Sequence, residues 1–278
     1  MTRPTTPIAL TIAGSDSGGG AGIQADLKAF SAMGVYGASV LTALTAQNTM
    51  GVTAIHDVPS DFVAAQMDAV YSDLAVAATK IGMLSQTSTI ETVVAGLARH
   101  DAKQIVLDPV MVTTSGNLLL SRDAVTGLKK ALIPIADIIT PNLHEAAVLL
   151  GEKPAKDKYE MEAQARGLLK IGAQSVLLKG GHFESDTADD LYFSHQFKKW
   201  YSAKRVHTKN THGTGCTLSA AIAAGLAKGK HMPEAIQEAK HYLSHAIARA
   251  DELTIGQGPG PVNHFHAYWS SQILEDSK

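Results

Sequence analysis

Short apolar runs alternate along this chain with longer stretches in which apolar residues return every three or four positions. Residues 8–13 form a nearly unbroken apolar run, which predicts a strand covered on both faces. A glycine-rich turn follows and opens a helix over 23–33. Residues 35–47 read as extended, 62–74 as a helix entered after Ser60, and 77–81 as another strand. The next helix is expected to begin at Ser88, because Ser88 and Glu91 have the spacing of a capping box. The runs at 105–108 and 138–140 are again apolar strands, each ending in a polar residue. Pro141 is predicted to open a helix in which Leu143, Ala146, Ala147 and Leu150 keep helical spacing until Gly151 stops it. A helix over 160–170, closed by Gly172, and a strand over 176–179 come next.

The rhythm changes at 189–207, where Leu191, Phe193, Phe197, Trp200 and Val206 alternate as in an antiparallel ribbon. Two helices, 217–228 and 233–253, follow. Strands separated by helices imply a mainly parallel sheet with helices on both faces, and an antiparallel edge is compatible with it. With no repeat, no low-complexity tract and no linker, residues 1–278 read as one α/β domain, long enough to bury a sizeable core.

Composition narrows the function. Charged residues make up 18% of the chain and the net charge is -2, which argues against a nucleic-acid or membrane-surface partner. One cysteine cannot form an internal disulfide and points to a reducing compartment. The apolar stretch at 8–14 is too short to span a bilayer, and Asp16 follows without a cleavage pattern. A soluble cytoplasmic protein is expected.

Open parallel sheets bind ligands at the carboxyl ends of their strands. Gly14, Asp16, Asp108, Asn142 and Lys179 all fall at such ends. The richest segment is Thr211-His212-Gly213-Thr214-Gly215-Cys216, where a polar loop enters a long run of small helix formers. A first helical turn presents unpaired N–H groups and the positive end of the macrodipole, so it suits an oxyanion or phosphate. Cys216 lies in that turn, where its thiolate should also be favoured. The segment reads as a phosphoryl-transfer site; the simpler alternative is a glycine loop capping a core helix. Asn142 and Glu145 share one helical face and, with Asp108, offer oxygen ligands for hydrated Mg2+. Equally, Glu145 alone would complement a helix N-terminus. Lys240 interrupts the apolar stripe of Ile236, Leu243 and Ile247, so its ammonium either snorkels to water or meets a bound nucleotide.

Other motifs carry less. Gly20-x-Gly22-x-x-Ala25 lacks the later acidic residue of a dinucleotide site, and no P-loop sequence occurs. His207, His212 and Cys216 do not have the spacing of a structural zinc site. A His212–Cys216 thiol dyad would leave the phosphate-ready turns unexplained, and His264-Phe265-His266 reads as packing or surface.

Taken together, the motifs resemble the ribokinase-type superfamily, and within it the bacterial hydroxymethylpyrimidine/phosphomethylpyrimidine kinases of thiamine biosynthesis. The residues that carry the resemblance run from Ala13-Gly14-Ser15-Asp16 through Asp26, then Thr45-Ala46-Gln47-Asn48-Thr49 and Lys80-Ile81-Gly82-Met83. Downstream come Asp108-Pro109-Val110-Met111, Thr140-Pro141-Asn142 to Ala146, Lys179-Gly180-Gly181-His182 and the segment through Cys216. The resemblance implies a three-layer α/β/α sandwich and two successive phosphorylations with MgATP. These act on the hydroxymethyl group of 4-amino-5-hydroxymethyl-2-methylpyrimidine and then on its monophosphate. It further implies that Gln47 bonds the aminopyrimidine, with Gly14, Ala21, Asp26, Met83 and Val110 lining its pocket. Asp108, Asn142 and Glu145 match the magnesium region, and Lys179, Thr211, Thr214 and Lys240 the nucleotide side. Gly213, Thr214, Gly215 and Cys216 match the anion hole, with Cys216 where sugar-kinase relatives carry an aspartate base. A homodimer is implied as well. Pyridoxal or pyridoxine kinase is the neighbouring activity; a non-catalytic nucleotide-binding regulator would need neither the thiol nor the magnesium group.

Overall fold

The computed structural model describes residues 5–111, 121–181 and 186–269. Its first half runs β1 (Ile8–Ala13), α1 (Gly22–Ala32), β2 (Tyr36–Leu41), β3 (Ala43–Asn48), β4 (Gly51–Asp57) and α2 (Ser60–Asp73). Then come β5 (Ala78–Ile81), α3 (Thr87–Arg99), β6 (Ile105–Leu107), α4 (Arg122–Gly127), β7 (Ile138–Ile139) and α5 (Leu143–Leu150). The rest is α6 (Lys158–Lys170), β8 (Ser175–Lys179), β9 (Thr187–Ser194), β10 (Lys198–Lys204), α7 (Thr214–Ala227) and α8 (Met232–Ala248).

Alternate residues of the central strands face opposite ways, and this divides the core in two. Leu10 and Ile12 of β1 and Val176 and Leu178 of β8 pack with residues of α2, α3, α5 and α6. Ala9 and Leu177 face the other side, toward α1, α7 and α8. Both faces are covered, which is why these strands read as unbroken apolar runs. The result is the expected sandwich: an eight-stranded sheet in the order β10-β9-β8-β7-β6-β5-β1-β2, parallel except where β9 runs against β8 and β10. β3 and β4 form a separate antiparallel pair.

Strand order places the site. From β1 the chain passes through α1 to β2 on one flank, then crosses back through the β3–β4 hairpin and α2 to β5 on the other. The order therefore reverses at β1, and a crevice opens at the carboxyl ends there. α7 is buried over Thr217–Ala227 and packs on α1, α8, β1, β5 and β6. Its alanines and Gly225 permit that approach; a Cβ at Gly225 would lie 2.8 Å from that of Ala235.

Several boundaries differ from the sequence reading. The extended stretch at 35–47 is broken at the buried Thr42, whose N–H bonds Ala13 and whose carbonyl accepts from Val58, so β2 and β3 belong to different sheets. β4 was not anticipated. α3 begins at Thr87 with Gln86 as cap and no side-chain capping bond, so the Ser88–Glu91 box does not form. α5 begins after Pro141, because Asn142 is itself the cap. Asp157 caps α6 through the Glu160 amide and starts it earlier than expected. α8 ends at Ala248 and continues only as a short 3-10 turn, Ala250–Glu252.

His264 belongs to packing. It is buried, its Nε2 lies 3.0 Å from Thr217 Oγ1 in α7, and its carbonyl accepts from the Tyr242 hydroxyl. Burial, with Lys28 nearby, pushes the imidazole down to about 3. An unfolded histidine takes up its proton near 6.5, so stability present above that value is lost on acidification toward the folded value. The melting temperature is expected to fall between about pH 6.5 and 5, and His264→Gln to flatten that slope, which differential scanning calorimetry reads directly.

Candidate active site

A cleft of about 1100 Å3 runs along the carboxyl ends of the strands. On its β1 side, the turn after Ala13 is organised by one carboxylate. Asp16 accepts the N–H groups of Gly18, Gly20 and Ala21 at 2.8, 3.0 and 2.8 Å, and His212 Nε2 lies 2.9 Å away. Burial alone would raise this carboxyl; the His212 bond and the Ala21 amide outweigh it and hold the group below its usual range. Gly14 and Ala21 line the cleft beside it, with Met83 after β5 and Val110 after β6. Gln47 faces them from β3: its Oε1 is 3.3 Å from Thr45 Oγ1 and its Nε2 is 3.5 Å from His212 Nε2.

Opposite the hairpin lies a cluster of buried charge. Asp108 follows β6 and accepts from Thr140 Oγ1 at 3.1 Å, Lys179 Nζ at 3.2 Å and Ser219 Oγ at 3.3 Å. Burial would raise its carboxyl; Lys179 and Lys80 reverse the shift, so Asp108 remains ionised. Glu145 Oε2 stands 3.9 Å from Lys179 Nζ. Here burial wins, with Asp108 adding to it, and the carboxyl is pushed up to about 7. Lys179 is raised by both carboxylates against the effect of its burial.

Asn142, which also lines the cleft, is the cap of α5. Its Oδ1 accepts the Glu145 amide at 2.9 Å while Glu145 Oε2 accepts the Asn142 amide at 2.7 Å, a complete capping box. The hard oxygens beside Lys179 are the buried carboxylates of Asp108 and Glu145 at the cleft, and oxygen donors of this kind suit Mg2+.

α7 begins between the two walls. Gly213 caps it at φ +77, and its carbonyl accepts from the Thr217 amide at 2.9 Å and hydroxyl at 2.8 Å. Thr214 bonds back to the Thr211 carbonyl through both its amide and its hydroxyl. Thr211, Gly213, Thr214, Gly215 and Cys216 all line the cleft. The expectation of a lowered Cys216 thiol is overturned. Burial, which outweighs the Lys80 charge and is reinforced by Asp26 and Asp108, pushes it up to about 11.

Two further expectations change. Asp26 is fully buried and outside the cleft lining; both its oxygens receive Lys80 Nζ, at 3.0 and 2.8 Å, and one also accepts from Thr11 Oγ1 at 2.6 Å. Lys240 reaches the cleft wall, and its ammonium is paired with Asp190 Oδ2 at 2.6 Å rather than snorkelling to water. His182 of the Lys-Gly-Gly-His motif lies outside the described residues. Asp16 was marked by its place at a strand end, His212 entered only in the zinc and thiol-dyad readings set aside, and Lys80 only within its motif; a charge inside an apolar strand was the visible signal for Lys80.

A model of the Phosphomethylpyrimidine kinase family matches residues 16–263. The chain belongs to that family. A hydroxymethylpyrimidine/phosphomethylpyrimidine kinase of Rhizobium meliloti is 59% identical to it, the alignment covering 95% of this chain and 99% of the relative. The Escherichia coli enzyme of the same name is 52% identical, covering 94% and 98%. Among solved structures, an ADP complex of Bacillus subtilis pyridoxal kinase has a TM-score of 0.88 at 36% identity, covering 96% of this chain and 100% of that one. A Clostridium difficile phosphomethylpyrimidine kinase has a TM-score of 0.77 at 44% identity, covering 86% and 99%. This phosphomethylpyrimidine kinase family member is thus a kinase with the ribokinase-like fold, and no described helix is long and apolar enough to cross a membrane.

Proposed function

We propose that this kinase moves the γ-phosphoryl group of ATP onto the hydroxymethyl oxygen of 4-amino-5-hydroxymethyl-2-methylpyrimidine, and then a second one onto the resulting monophosphate, in thiamine biosynthesis. The observation that carries the reading is the cleft itself: Gln47 on one wall, and on the other an unblocked helix start holding Cys216 beside Asp108, Glu145 and Lys179. In the first transfer the substrate O–H proton passes to the Cys216 sulfur, which must first give up its own proton against the burial that pushes the thiol up to about 11. The oxygen bonds phosphorus, the β–γ bridging P–O bond breaks, and ADP departs. The N–H groups of Gly213, Gly215 and Cys216 hold the oxygens of the moving group, and Lys179 offsets charge beside them. Mg2+ bound by Asp108 and Glu145 would neutralise phosphate charge. In the second transfer the nucleophile is a phosphate oxygen, largely ionised at neutral pH, since a phosphomonoester has a second pKa of about 6. It needs no base. The enzyme is taken to work as a cytoplasmic homodimer.

Gln47→Leu is expected to weaken pyrimidine binding roughly tenfold with ATP affinity unchanged, because a buried amide pairing is lost on one ligand only. Isothermal titration with each ligand measures this, and unchanged pyrimidine affinity would remove Gln47 from recognition. Pyridoxal kinase activity is the second reading, favoured by the likeness to the Bacillus subtilis enzyme. A coupled ATP-consumption assay over hydroxymethylpyrimidine, its monophosphate, pyridoxal and pyridoxine separates the two; turnover of the pyridines alone would overturn the first.

A further inference from the structure

Gln47 stands between two side chains that the mechanism above does not use, Thr45 on its own strand β3 and His212 just before α7, and all three line the cleft. Its backbone is pinned to the turn after β1: the Ser17 hydroxyl donates to the Gln47 carbonyl and accepts from the Gln47 amide, both at 2.8 Å. What this leaves open is the sense of the terminal amide, since a half-turn about its last bond exchanges Oε1 and Nε2.

The neighbours decide that sense. His212 Nε2 lies 2.9 Å from Oδ2 of the ionised Asp16, so this nitrogen carries a proton. The ring is wedged as well: a Cβ at Gly20 would lie 2.5 Å from its Cδ2, and the His212 amide bonds the Gly260 carbonyl at 3.1 Å. His212 thus presents a donor to the Gln47 amide atom 3.5 Å away. Thr45 presents the opposite. Its hydroxyl has one proton, which the Ser15 carbonyl takes at 2.9 Å, so it offers lone pairs to the other amide atom, 3.3 Å away. With Oε1 toward Thr45 and Nε2 toward His212, lone pair meets lone pair and N–H meets N–H. A half-turn relieves both.

We infer that His212 and Thr45 are positioning residues that fix the sense of the Gln47 amide, Oε1 toward His212 and Nε2 toward Thr45, and thereby decide which way round an aminopyrimidine lies in the cleft. The inference rests on the reading of Gln47 as the residue that binds that ring. Around the substrate the acceptor N3, the donor amino group and the carbon bearing the hydroxymethyl group follow one another. Oε1 takes the amino N–H and Nε2 gives to N3, so this edge runs from Thr45 toward His212 and the hydroxymethyl carbon comes last. His212 immediately precedes Gly213, the cap of α7, so that order delivers the reacting oxygen to the transfer corner. A reversed amide would send N3 and the methyl-bearing carbon there instead.

The probe is the analogue in which an oxo group replaces the amino group, giving an acceptor where the substrate has a donor and an N–H at N3. The readout is the preference, the ratio of kcat/KM for the amino over the oxo compound in the first phosphorylation. The wild type is expected to favour the amino compound by about a hundredfold or more, because a mismatched edge leaves polar groups unpaired. His212→Leu and Thr45→Val each free the amide to turn and are expected to lower that preference by about three- to tenfold, the worth of one hydrogen bond. His212→Gln keeps a donor and should hold it. A merely structural role would depress both compounds alike; a preference unmoved in both variants overturns the inference and spares the proposed function. Absence of aminopyrimidine turnover in the wild type would overturn the proposed function, and this inference with it. If His212→Leu does not fold, Thr45→Val decides alone, since it leaves the Asp16–His212 bond in place.

Discussion

Cys216→Ala is expected to slow the first phosphorylation by about a hundredfold or more while leaving the second within a few-fold of wild type. The asymmetry follows from the nucleophiles. A hydroxymethyl group is a poor nucleophile until its proton leaves, and Cys216 lies in the helix turn that lines the transfer site. A phosphomonoester oxygen has already lost its proton at neutral pH. Removing the sulfur takes away the acceptor in one step and little in the other. Rapid-quench single-turnover measurements of each step with saturating ATP provide the comparison. Equal losses would assign Cys216 to shaping the anion hole.

Gly213→Ala is expected to depress both phosphorylations together, by about a hundredfold, and to lower the melting temperature. Two effects combine at this residue. Its φ of +77 lies in the left-handed region, which costs a residue with a Cβ about 1–2 kcal/mol. A Cβ there would also run into the carbonyl oxygen of Gly20, in the loop that Asp16 organises. Relief requires either the Gly20 loop or the start of α7 to retreat, and the donors aimed at the transferring group retreat with it. Displacing one such donor typically costs a hundredfold or more in kcat. Because both transfers use the same donors, the loss falls on both steps, in contrast to Cys216→Ala.

Much of this architecture was legible in the chain because the central strands are buried on both faces and say so by their composition. Their polar terminators, Asp16, Asp108 and Lys179, marked the site for the same reason. The β3–β4 hairpin was invisible: residues 53–56 are exposed, so no one-sided alternation announces the second strand. Charges inside the core misled where their partners come from distant elements. Lys240 reads as a group awaiting an anion until Asp190 of β9 is placed against it. Asp26 reads as pocket lining until the face of α1 on which it sits is seen to meet Lys80. Asn142 and Glu145 illustrate a different limit, since the spacing that suits a metal also suits a cap. The cap engages both side chains, the Asn142 amide oxygen and one oxygen of the Glu145 carboxylate. The Cys216 thiol shows competition of magnitudes, with the benefit of a helix start outweighed by burial.

Enclosure of α7 on every side has a mechanical consequence. A rod wedged among two helices and three strands has no path along which to advance, so the catalytic end of the cleft stays where folding puts it. The opposite wall is built differently: the hairpin bearing Gln47 touches solvent along much of its length and is held by far fewer buried side chains. Substitutions on that wall therefore disturb the core less than substitutions in α7 do.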